Sequence, residues 1–391
     1  MKDASKILPR YSNNNNAGIL PRDRVLTALS RKRPDKTPRA GWWTPTTLGI
    51  FHANTGADDP AEYFGYEARE VFGKLEKTTE LSEFAGYFPK DLKFDYQPFH
   101  EYYATHFTAA QAAANPTRTA WLDEWGIGYL SGELFHFTRM LHPMKDFTSI
   151  KEIETYPFPE IVDSQLLEDK VSRLKNAGYY VTGNIAQFIF ETAWYLRDMD
   201  ELLMDFMVNK DFAAALLEKI MVIKQAMAIN LVKAGVDQIN MGDDVGMQNT
   251  MIMSPETWRE WLKPYLKRLI APLKKLNPEL HVFYHSDGWL EPIIPDLLEV
   301  GIDILNPVQP ECMDPEKLKS EYGDKLSFWG TISDQTTMIG GTPDDVTEEV
   351  RKRVEILGSN GGLVLSPSNC IMPDMPWQNI LALFDAIEKY G

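Results

Sequence analysis

From about residue 165 onward, short apolar runs alternate with amphipathic stretches of ten residues or more. This alternation is typical of successive βα units that build a parallel sheet. Helix starts are marked by Ser254 before Pro255 and by Thr342 before Pro343. The predicted strands are GYYVTGN ending at Asn184, VDQINMGDD ending at Asp244, HVFYHSDG ending at Gly288, IDILNPVQ ending at Gln309, LSFWGTIS ending at Ser333 and GLVLSPSNC ending at Cys370.

The N-terminal part of the chain has a less regular pattern. Residues 1–20 contain a polar asparagine run and predict a flexible arm. RDRVLTALSRKRPD, from Arg22, predicts a short helix that ends before Pro34, and TPRAGWW, from Thr37 to Trp43, predicts a first strand. Residues 45–140 are rich in aromatics and interrupted by glycine and proline, which favours long loops and short helices over one end of the fold.

Six βα units and the strand near Thr37 come close to the eight that a closed barrel requires. We therefore predict an α/β fold, a single (β/α)8 TIM barrel over residues 21–391 with an irregular insertion at about 45–140. A doubly wound open sheet is the alternative. Against it, no strand leads into a dinucleotide-binding glycine fingerprint, and the chain contains no GxxxxGK[ST] phosphate loop.

The charge and the cysteine content argue against several classes of protein. Acidic residues outnumber basic ones by 56 to 40, and the net charge of −16 disfavours nucleic acid and anionic membrane surfaces as partners. The sequence contains no apolar stretch as long as a membrane span or a signal-peptide core, so we expect a cytoplasmic protein. Cys312 and Cys370 are the only cysteines, which excludes a disulfide scaffold.

Polar residues end each of the predicted strands in succession. In a parallel barrel these ends face the active site. His285 and Asp287 are two residues apart, so their side chains point to one face, and imidazole and carboxylate are both sound zinc ligands. Cys370, after the last strand, is the candidate third ligand. Alternatively, Asp287 caps a turn with Gly288 while His285 forms a rim hydrogen bond.

Other residues near the predicted mouth are candidates for catalysis and substrate binding. Asp243 is a candidate general base, although an Asx turn explains at least one of Asp243 and Asp244. Trp42, Trp43, Phe188 and Trp329 offer an aromatic wall for a ring-shaped substrate, and each taken singly also suits the core. The predicted substrate-binding set is Trp42, Trp43, Asn184, Phe188, Asp244, Gln309 and Trp329, with Asp243 and His285 as the catalytic residues.

Several motifs together resemble the uroporphyrinogen decarboxylase superfamily over roughly residues 180–391. They are GDDVGMQNTMIMSPETWREWLKPYLKRLI, YHSDG, GIDILNPVQP, FWGTIS, GTPDDVTEEV and the NC of PSNCIMPD. The resemblance implies a (β/α)8 barrel and two main chemistries, which are decarboxylation of uroporphyrinogen and zinc-dependent methyl transfer to or from a corrinoid protein.

The decarboxylases of this superfamily carry an arginine-rich MRQAGRY-type motif that grips substrate carboxylates. The corresponding stretch here is PRAGWWTPTT, in which only Arg39 is a plausible equivalent. The methyltransferases hold zinc with a His-x-Cys pair and a distant cysteine. His285 and Cys370 match this pattern, whereas Asp287 replaces the middle cysteine. A carboxylate makes zinc harder and better suited to activating an oxygen, and it equally allows that the metal has been lost.

The resemblance thus implies the methyltransferase component of a corrinoid-dependent demethylation system, acting on a methoxylated aromatic or another small methylated molecule. A Co(I) corrinoid on a partner protein would attack the methyl group while zinc on His285, Asp287 and Cys370 polarises the leaving oxygen. The alternatives are a metal-independent decarboxylase and a noncatalytic binding protein. The sequence leaves the oligomeric state open, with a homodimer as one option.

Overall fold

A computed structural model describes residues 9–11, 19–96, 119–130, 139–162 and 165–391. The chain divides into two compact units, the first made of Met1–Phe72, Gln165–Ala186 and Leu231–Gly391 and the second of Gly73–Ser164 and Gln187–Asn230. The predicted flexible arm at 1–20 falls largely outside the described residues. The predicted domain bounds, including the insertion at about 45–140, stay a prediction.

The strands alternate with helices along most of the chain. The strands of the described residues are β1 (Ala68–Phe72), β2 (Leu75–Glu76), β3 (Lys93–Asp95), β4 (Thr119–Leu122), β5 (Gly128–Leu130), β6 (Arg139–Leu141), β7 (Glu160–Ile161), β8 (Tyr180–Gln187), β9 (Gln238–Gly242), β10 (His281–His285), β11 (Ile304–Asn306), β12 (Ser327–Trp329) and β13 (Leu363–Val364).

The helices of the described residues include those whose starts the sequence marks. They are α1 (Pro21–Leu29), α2 (Pro45–Thr55), α3 (Pro60–Tyr63), α4 (Leu81–Phe84), α5 (Ile150–Thr155), α6 (Gln165–Asn176), α7 (Phe190–Arg197), α8 (Met199–Val208), α9 (Lys210–Lys233), α10 (Pro255–Trp261), α11 (Lys263–Leu276), α12 (Ile294–Val300), α13 (Pro315–Tyr322), α14 (Pro343–Ile356) and α15 (Trp377–Tyr390). Where the sequence predicts one long helix after Ser254, the structure has α10 and α11, separated at Leu262. In the described part of the chain, no helix has both the length and the apolar character that crossing a membrane requires.

A seven-stranded parallel sheet forms the framework of the first unit. Its strands lie in the spatial order β1, β8, β9, β10, β11, β12 and β13, so each strand after β8 neighbours the next one in sequence. All five residues of β9 are buried, as expected for a parallel strand covered on both faces. The predicted α/β class with a parallel sheet is confirmed. In the second unit, β2 pairs with β7, and β3 to β6 form a separate four-stranded sheet.

The segment predicted as the first strand, Thr37–Trp43, lies beside the β13 edge of this sheet. It forms only two isolated parallel bridges, Arg39 with Leu365 and Trp43 with Ile371. The backbone N–H of Ala40 donates to the carbonyl of Leu365 at 2.9 Å. With β1 at the opposite edge, this segment supplies an eighth strand-like position. The strand that the sequence does not reveal is β1, which lies inside the region predicted to be irregular.

Side chains of helix α1 pack against side chains of the parallel sheet and form a hydrophobic core with them. Val25 and Leu29 of α1 belong to a fully buried cluster whose other members come from the Thr37–Trp43 segment and five of the strands, namely Ala40, Tyr180, Phe283, Ile304, Trp329 and Val364. Burial of side chains of this size contributes about 1.5–3 kcal/mol each to folding. The inward-facing positions of the strands are therefore fixed by the core, and this determines which polar residues share their face.

A buried ion pair links α1 to the start of β1. Nη1 of Arg24 lies 3.0 Å from Oε1 of Glu67, and the two side chains are 1% and 0% exposed. Arg24 also pairs with Asp35 at 2.8 Å, and Oε2 of Glu67 accepts the backbone N–H of Arg39 at 2.9 Å. Burial raises the pKa of Glu67, whereas the charges of Arg39 and Arg24 oppose that rise. Both charges are compensated inside the protein.

Candidate functional site

Three potential metal ligands meet at the carboxyl ends of β9 and β10. His285 is the last residue of β10 and lies opposite Gly242, the last residue of β9. The chain continues from these residues to Asp287 and Asp244. Nε2 of His285 lies 3.6 Å from Oδ1 of Asp244 and 3.8 Å from Oδ1 of Asp287. One ligand atom from each of the three side chains lies within 4.8 Å of the others.

The orientation of the His285 ring is set by the next strand. Asn306, which lies opposite His285 on β11, places its Oδ1 2.5 Å from Nδ1 of His285. Nδ2 of Asn306 donates to the carbonyl of Trp329 at 2.7 Å, which fixes the amide with its oxygen towards the imidazole. Because an amide oxygen only accepts, Nδ1 carries the proton. In the neutral ring, Nε2 therefore presents a lone pair towards the two carboxylates.

The Asp287 side chain is 27% exposed, but one of its two carboxylate oxygens is buried without a hydrogen-bond donor in the described part of the chain. Oδ2 of Asp287 accepts a hydrogen bond from Nδ2 of Asn369 at 2.5 Å. Oδ1 is buried, and it has no hydrogen-bond partner among the described residues. Burial raises the pKa of Asp287 to about 6, with the charge of His285 opposing the rise and that of Asp244 adding to it. A buried carboxylate oxygen without a donor is costly unless a cation compensates it.

The geometry of the three side chains fits a divalent metal ion. Two tetrahedral ligands of zinc lie about 3.3 Å apart, since each is about 2.0–2.2 Å from the ion. The separations of 3.6 and 3.8 Å from Nε2 of His285 are within a small side-chain movement of that value. One imidazole nitrogen and two carboxylate oxygens are also a donor set that zinc accepts.

Close packing of two loops brings Asp244 and Asp287 together, and it depends on glycine. A Cβ atom on Gly242 would lie 2.2 Å from the carbonyl oxygen of His285. Gly288 has φ +84°, and a Cβ there would lie 2.5 Å from the carbonyl carbon of Gly246. Because neither position accommodates a side chain, the backbones approach closely enough for the N–H of Asp287 to donate to Oδ1 of Asp244 at 2.8 Å.

Gln309 and Asp243, two further predicted site residues, contact the backbone around the three ligands. Oε1 of Gln309 accepts the backbone N–H of Gly288 at 2.5 Å, and this holds the turn that follows Asp287. Asp243 is 1% exposed, and its backbone N–H donates to the carbonyl of His285 at 3.1 Å. The catalytic role of Asp243 and the substrate contact of Gln309 stay predictions.

Cys370 lies next to Asn369, whose Oδ1 accepts the backbone N–H of Cys370 at 2.6 Å. Burial raises the pKa of the Cys370 thiol to about 12, and the charges of Asp334 and Asp287 add to the rise. Among the described residues, the group of converging ligands contains Asp244 and not Cys370. The predicted ligand set of His285, Asp287 and Cys370 thus stays a prediction, and the geometry adds Asp244 as a candidate.

The predicted aromatic residues fall into two groups. Trp42 stacks on Trp329 with ring centroids 6.2 Å apart, and Nε1 of Trp43 donates to the hydroxyl of Tyr66 at 3.0 Å. These three tryptophans line one cavity of about 430 Å³. Phe188 is a fully buried residue of the second unit, and its predicted contact with substrate stays a prediction.

Glu70 lies on the wall of this cavity and is not among the site residues predicted from the sequence. Its Oε1 accepts hydrogen bonds from Nδ2 of Asn184 and from Nδ2 of Asn240, each at 2.9 Å. Burial raises the pKa of Glu70, and these two hydrogen bonds oppose the rise. Asn184, predicted to bind substrate, is thus engaged with Glu70. The available signal was the alternation in AREVF, which places Glu70 on the same face as Ala68.

Comparison with known proteins finds relatives that are enzymes of two activities. A methylcobamide:CoM methyltransferase, MtaA, from Methanosarcina barkeri is 30% identical over 166 residues, which are 42% of this chain and 45% of the relative. A uroporphyrinogen decarboxylase from Pelodictyon phaeoclathratiforme is 26% identical over 180 residues, 45% of this chain and 49% of the relative. The chain thus spans about half the length of these curated relatives.

A solved methyltransferase from Methanosarcina mazei superimposes with a TM-score of 0.62 at 18% identity, covering 95% of this chain and 99% of that one. The superposition confirms the predicted barrel fold. The family model for uroporphyrinogen decarboxylase (URO-D) matches residues 142–390. With well over half of its length matched, this chain belongs to the uroporphyrinogen decarboxylase family.

Proposed function

We propose that this protein is the methyltransferase component of a corrinoid-dependent demethylation system. It takes a methyl group from a methoxylated aromatic or another small methylated substrate and passes it to a corrinoid protein. The observation that carries the proposal is the orientation of His285, whose Nε2 faces the carboxylates of Asp244 and Asp287. The relative named as a methylcobamide:CoM methyltransferase supports the reaction class.

The residues that would hold zinc are His285, Asp287 and Asp244, with Cys370 as the further ligand that the sequence predicts. Zinc bound there would supply a Lewis acid for the leaving oxygen of a methoxyl group, because a phenolate leaves poorly. Asn306 keeps the proton of His285 on Nδ1 and so keeps Nε2 available. Gln309 holds the turn after Asp287, and Asp243 orients the substrate or takes part in proton transfer.

The alternative is a metal-independent decarboxylase acting on a carboxylated small molecule, as in the decarboxylase relatives. The position of Arg39 argues against a porphyrinogen substrate. Ala40 belongs to the inner core cluster, so the adjacent Arg39 faces the other side of its segment. Its Nη2 pairs with Glu388 of α15 at 2.6 Å, and the side chain is 2% exposed. Nη2 of the one arginine that matches the carboxylate-binding motif is therefore paired with Glu388, and Arg39 is not among the residues lining the cavity beside β1.

Metal content separates the two functions. We expect protein purified without an affinity tag to contain about one zinc ion per chain, and to transfer methyl groups from a methoxylated arene to reduced cobalamin, measured by the absorbance of the methylated product. Dialysis against a chelator should remove the activity, and added zinc should restore it. Full activity of the metal-free protein on a carboxylated substrate would instead support the decarboxylase.

Zinc affinity should depend on pH through Asp287, whose pKa is raised to about 6. A carboxylate must lose its proton to ligate, so we expect affinity to level off above about pH 6 and to fall by about tenfold per pH unit below it. Competition titration against a chromophoric chelator between pH 5 and 8 measures this profile.

Unfolding of the protein at low pH does not explain the expected fall in zinc affinity below about pH 6. The folded metal-free chain binds the Asp287 proton more tightly than the unfolded chain, so this group adds stability as the pH falls from about 6 towards 4. The matched variant is Asp287→Asn, which should bind zinc more weakly and with a shallower pH dependence. An unchanged pH profile in Asp287→Asn would show that Asp287 is not a ligand.

A further inference from the structure

The cavity beside β1 combines aromatic walls with a carboxylate. It measures about 430 Å³, and Trp42, Trp43, Tyr66 and Trp329 are among its lining residues together with Glu70. This volume suits a small molecule rather than a macrocycle. Aromatic rings carry negative charge on their faces and so attract cations, most strongly where water is excluded.

The hydrogen-bond network around Glu70 keeps this side chain an acceptor. Oδ1 of Asn184 accepts the backbone N–H of Ala186 at 2.6 Å, and Oδ1 of Asn240 accepts from Nε2 of Gln238 at 2.6 Å. Each asparagine therefore turns its Nδ2 donor towards Oε1 of Glu70. Both donors favour the ionised carboxylate over the protonated acid. The cavity wall thus presents a carboxylate whose ionised form these donors stabilise against the rise in pKa that burial causes.

The other charged lining residues do not cancel this charge. Arg69 lines the cavity, but its Nη1 donates to the carbonyls of Tyr66 and Ala68 at 2.6 and 3.0 Å. Its Nη2 pairs with Glu62 at 2.8 Å, and the guanidinium lies 3.9 Å above the ring of Tyr179. Asp59, a second carboxylate on the wall, caps α3. The cavity therefore has a net anionic character.

We propose that this cavity binds a methylated ammonium cation, with Glu70 as its counter-ion and the tryptophans packed against its N-methyl groups. The assignment rests on the proposed function, since it names, among small methylated substrates, those that carry a positive charge. In the transfer, the carbon–nitrogen bond breaks and its electron pair stays on nitrogen as a neutral amine, a leaving group that does not need the Lewis acid proposed for a methoxyl oxygen. The reduced corrinoid of the partner protein supplies both electrons of the new bond to carbon, and no proton is needed.

Binding of choline and of its uncharged isostere, 3,3-dimethyl-1-butanol, tests the charge directly. The measurement is isothermal titration of the full chain, with chelator present and no corrinoid. We expect the wild-type protein to bind choline at least tenfold more tightly than the isostere, because the aromatic faces and the Glu70 carboxylate attract a desolvated cation and not an uncharged molecule of the same shape. Equal affinities for the two compounds, or no binding of either, would overturn the proposal.

Variants assign the preference to Glu70. In Glu70→Gln the remaining carbonyl oxygen can still accept from both asparagines, whereas the hydrogen bond from Trp42 is weakened. Thermal unfolding checks that the fold is retained. We expect Glu70→Gln to lose most of the preference for choline. Glu279→Gln makes the same change in net charge at an exposed residue before β10, and it should retain the preference. If anisole bound more tightly than choline, and Glu70→Gln did not change the affinity for anisole, the cavity would instead be a site for a neutral methoxylated ring.

These results are separate from the proposed function. Cation binding is measured without metal, corrinoid or turnover, and His285→Ala should leave it intact. A protein that binds choline yet transfers no methyl group would contradict the proposed function and keep the cation site. A protein that demethylates anisole but does not bind choline would support the proposed function and contradict the cation site.

Discussion

His285→Ala is expected to abolish stoichiometric zinc binding and to lower methyl transfer by about 10²- to 10³-fold. The rate loss corresponds to the several kcal/mol that a Lewis acid contributes when a poor leaving group departs. His285 supplies the single nitrogen ligand of the group, and it sits between the two carboxylates. Without it, Asp244 and Asp287 lose the cationic or metal-bound partner that offsets their mutual repulsion.

Metal analysis by mass spectrometry and single-turnover methyl transfer measure these two effects. Asn306→Leu removes the hydrogen bond to Nδ1 of His285, together with the bond from Nδ2 of Asn306 to the carbonyl of Trp329. We expect it to weaken zinc binding by about 10- to 100-fold without abolishing it. His52→Ala is the matched control, since His52 is an exposed histidine of α2 that pairs with Asp58. Retention of one tightly bound zinc in His285→Ala would remove the basis of the proposed function.

Arg24→Met should destabilise the chain by about 3–5 kcal/mol, because it removes the buried ion-pair partner of Glu67 and leaves only Arg39, among the described residues, to compensate this carboxylate. It also breaks the ion pair between Arg24 and Asp35. The expected signature in urea unfolding of the metal-free protein is a lower midpoint with an unchanged slope. The double variant Arg24→Met/Glu67→Gln removes the stranded charge and should recover part of the loss.

The control for this experiment is Arg351→Met, which removes an arginine from the surface pairs with Glu348 and Glu355. Exposed pairs contribute little to folding, so its urea midpoint should match that of the wild-type protein. If Arg24→Met also behaved like the wild type, the pair would not be a structural link between α1 and β1.

The sheet was largely predictable because its later strands are apolar runs bounded by helices with clear start signals. The six runs from GYYVTGN onward correspond to β8 to β13. β1 escaped detection because Arg69 and Glu70 break the apolar pattern of AREVF, and only the fold shows that Glu70 faces inward. The segment from Thr37 to Trp43 has strand character in sequence but makes just two isolated bridges.

The candidate site was predictable only where its residues lie close together in sequence. The two-residue spacing of His285 and Asp287 placed both on one face, whereas the approach of Asp244 depends on the glycine contacts between two loops. Asn306 lies within the predicted strand IDILNPVQ. Its hydrogen bond with Nδ1 of His285, however, follows from the register of β10 against β11, which the sequence does not specify.

The amide network beneath Glu70 extends to the opposite end of the sheet. Asn240 is oriented by Gln238, whose Oε1 accepts from the hydroxyl of Tyr180 at 3.1 Å, and this hydroxyl lies 2.9 Å from Nδ1 of His281. Each amide or hydroxyl in this chain of hydrogen bonds has one orientation that satisfies its neighbours, provided that the neighbouring group keeps its orientation. The ligand preference of the cavity therefore depends on residues that do not contact the ligand. A substitution near the start of β9 or β10 can reverse an amide several residues away and so alter the charge that the cavity offers.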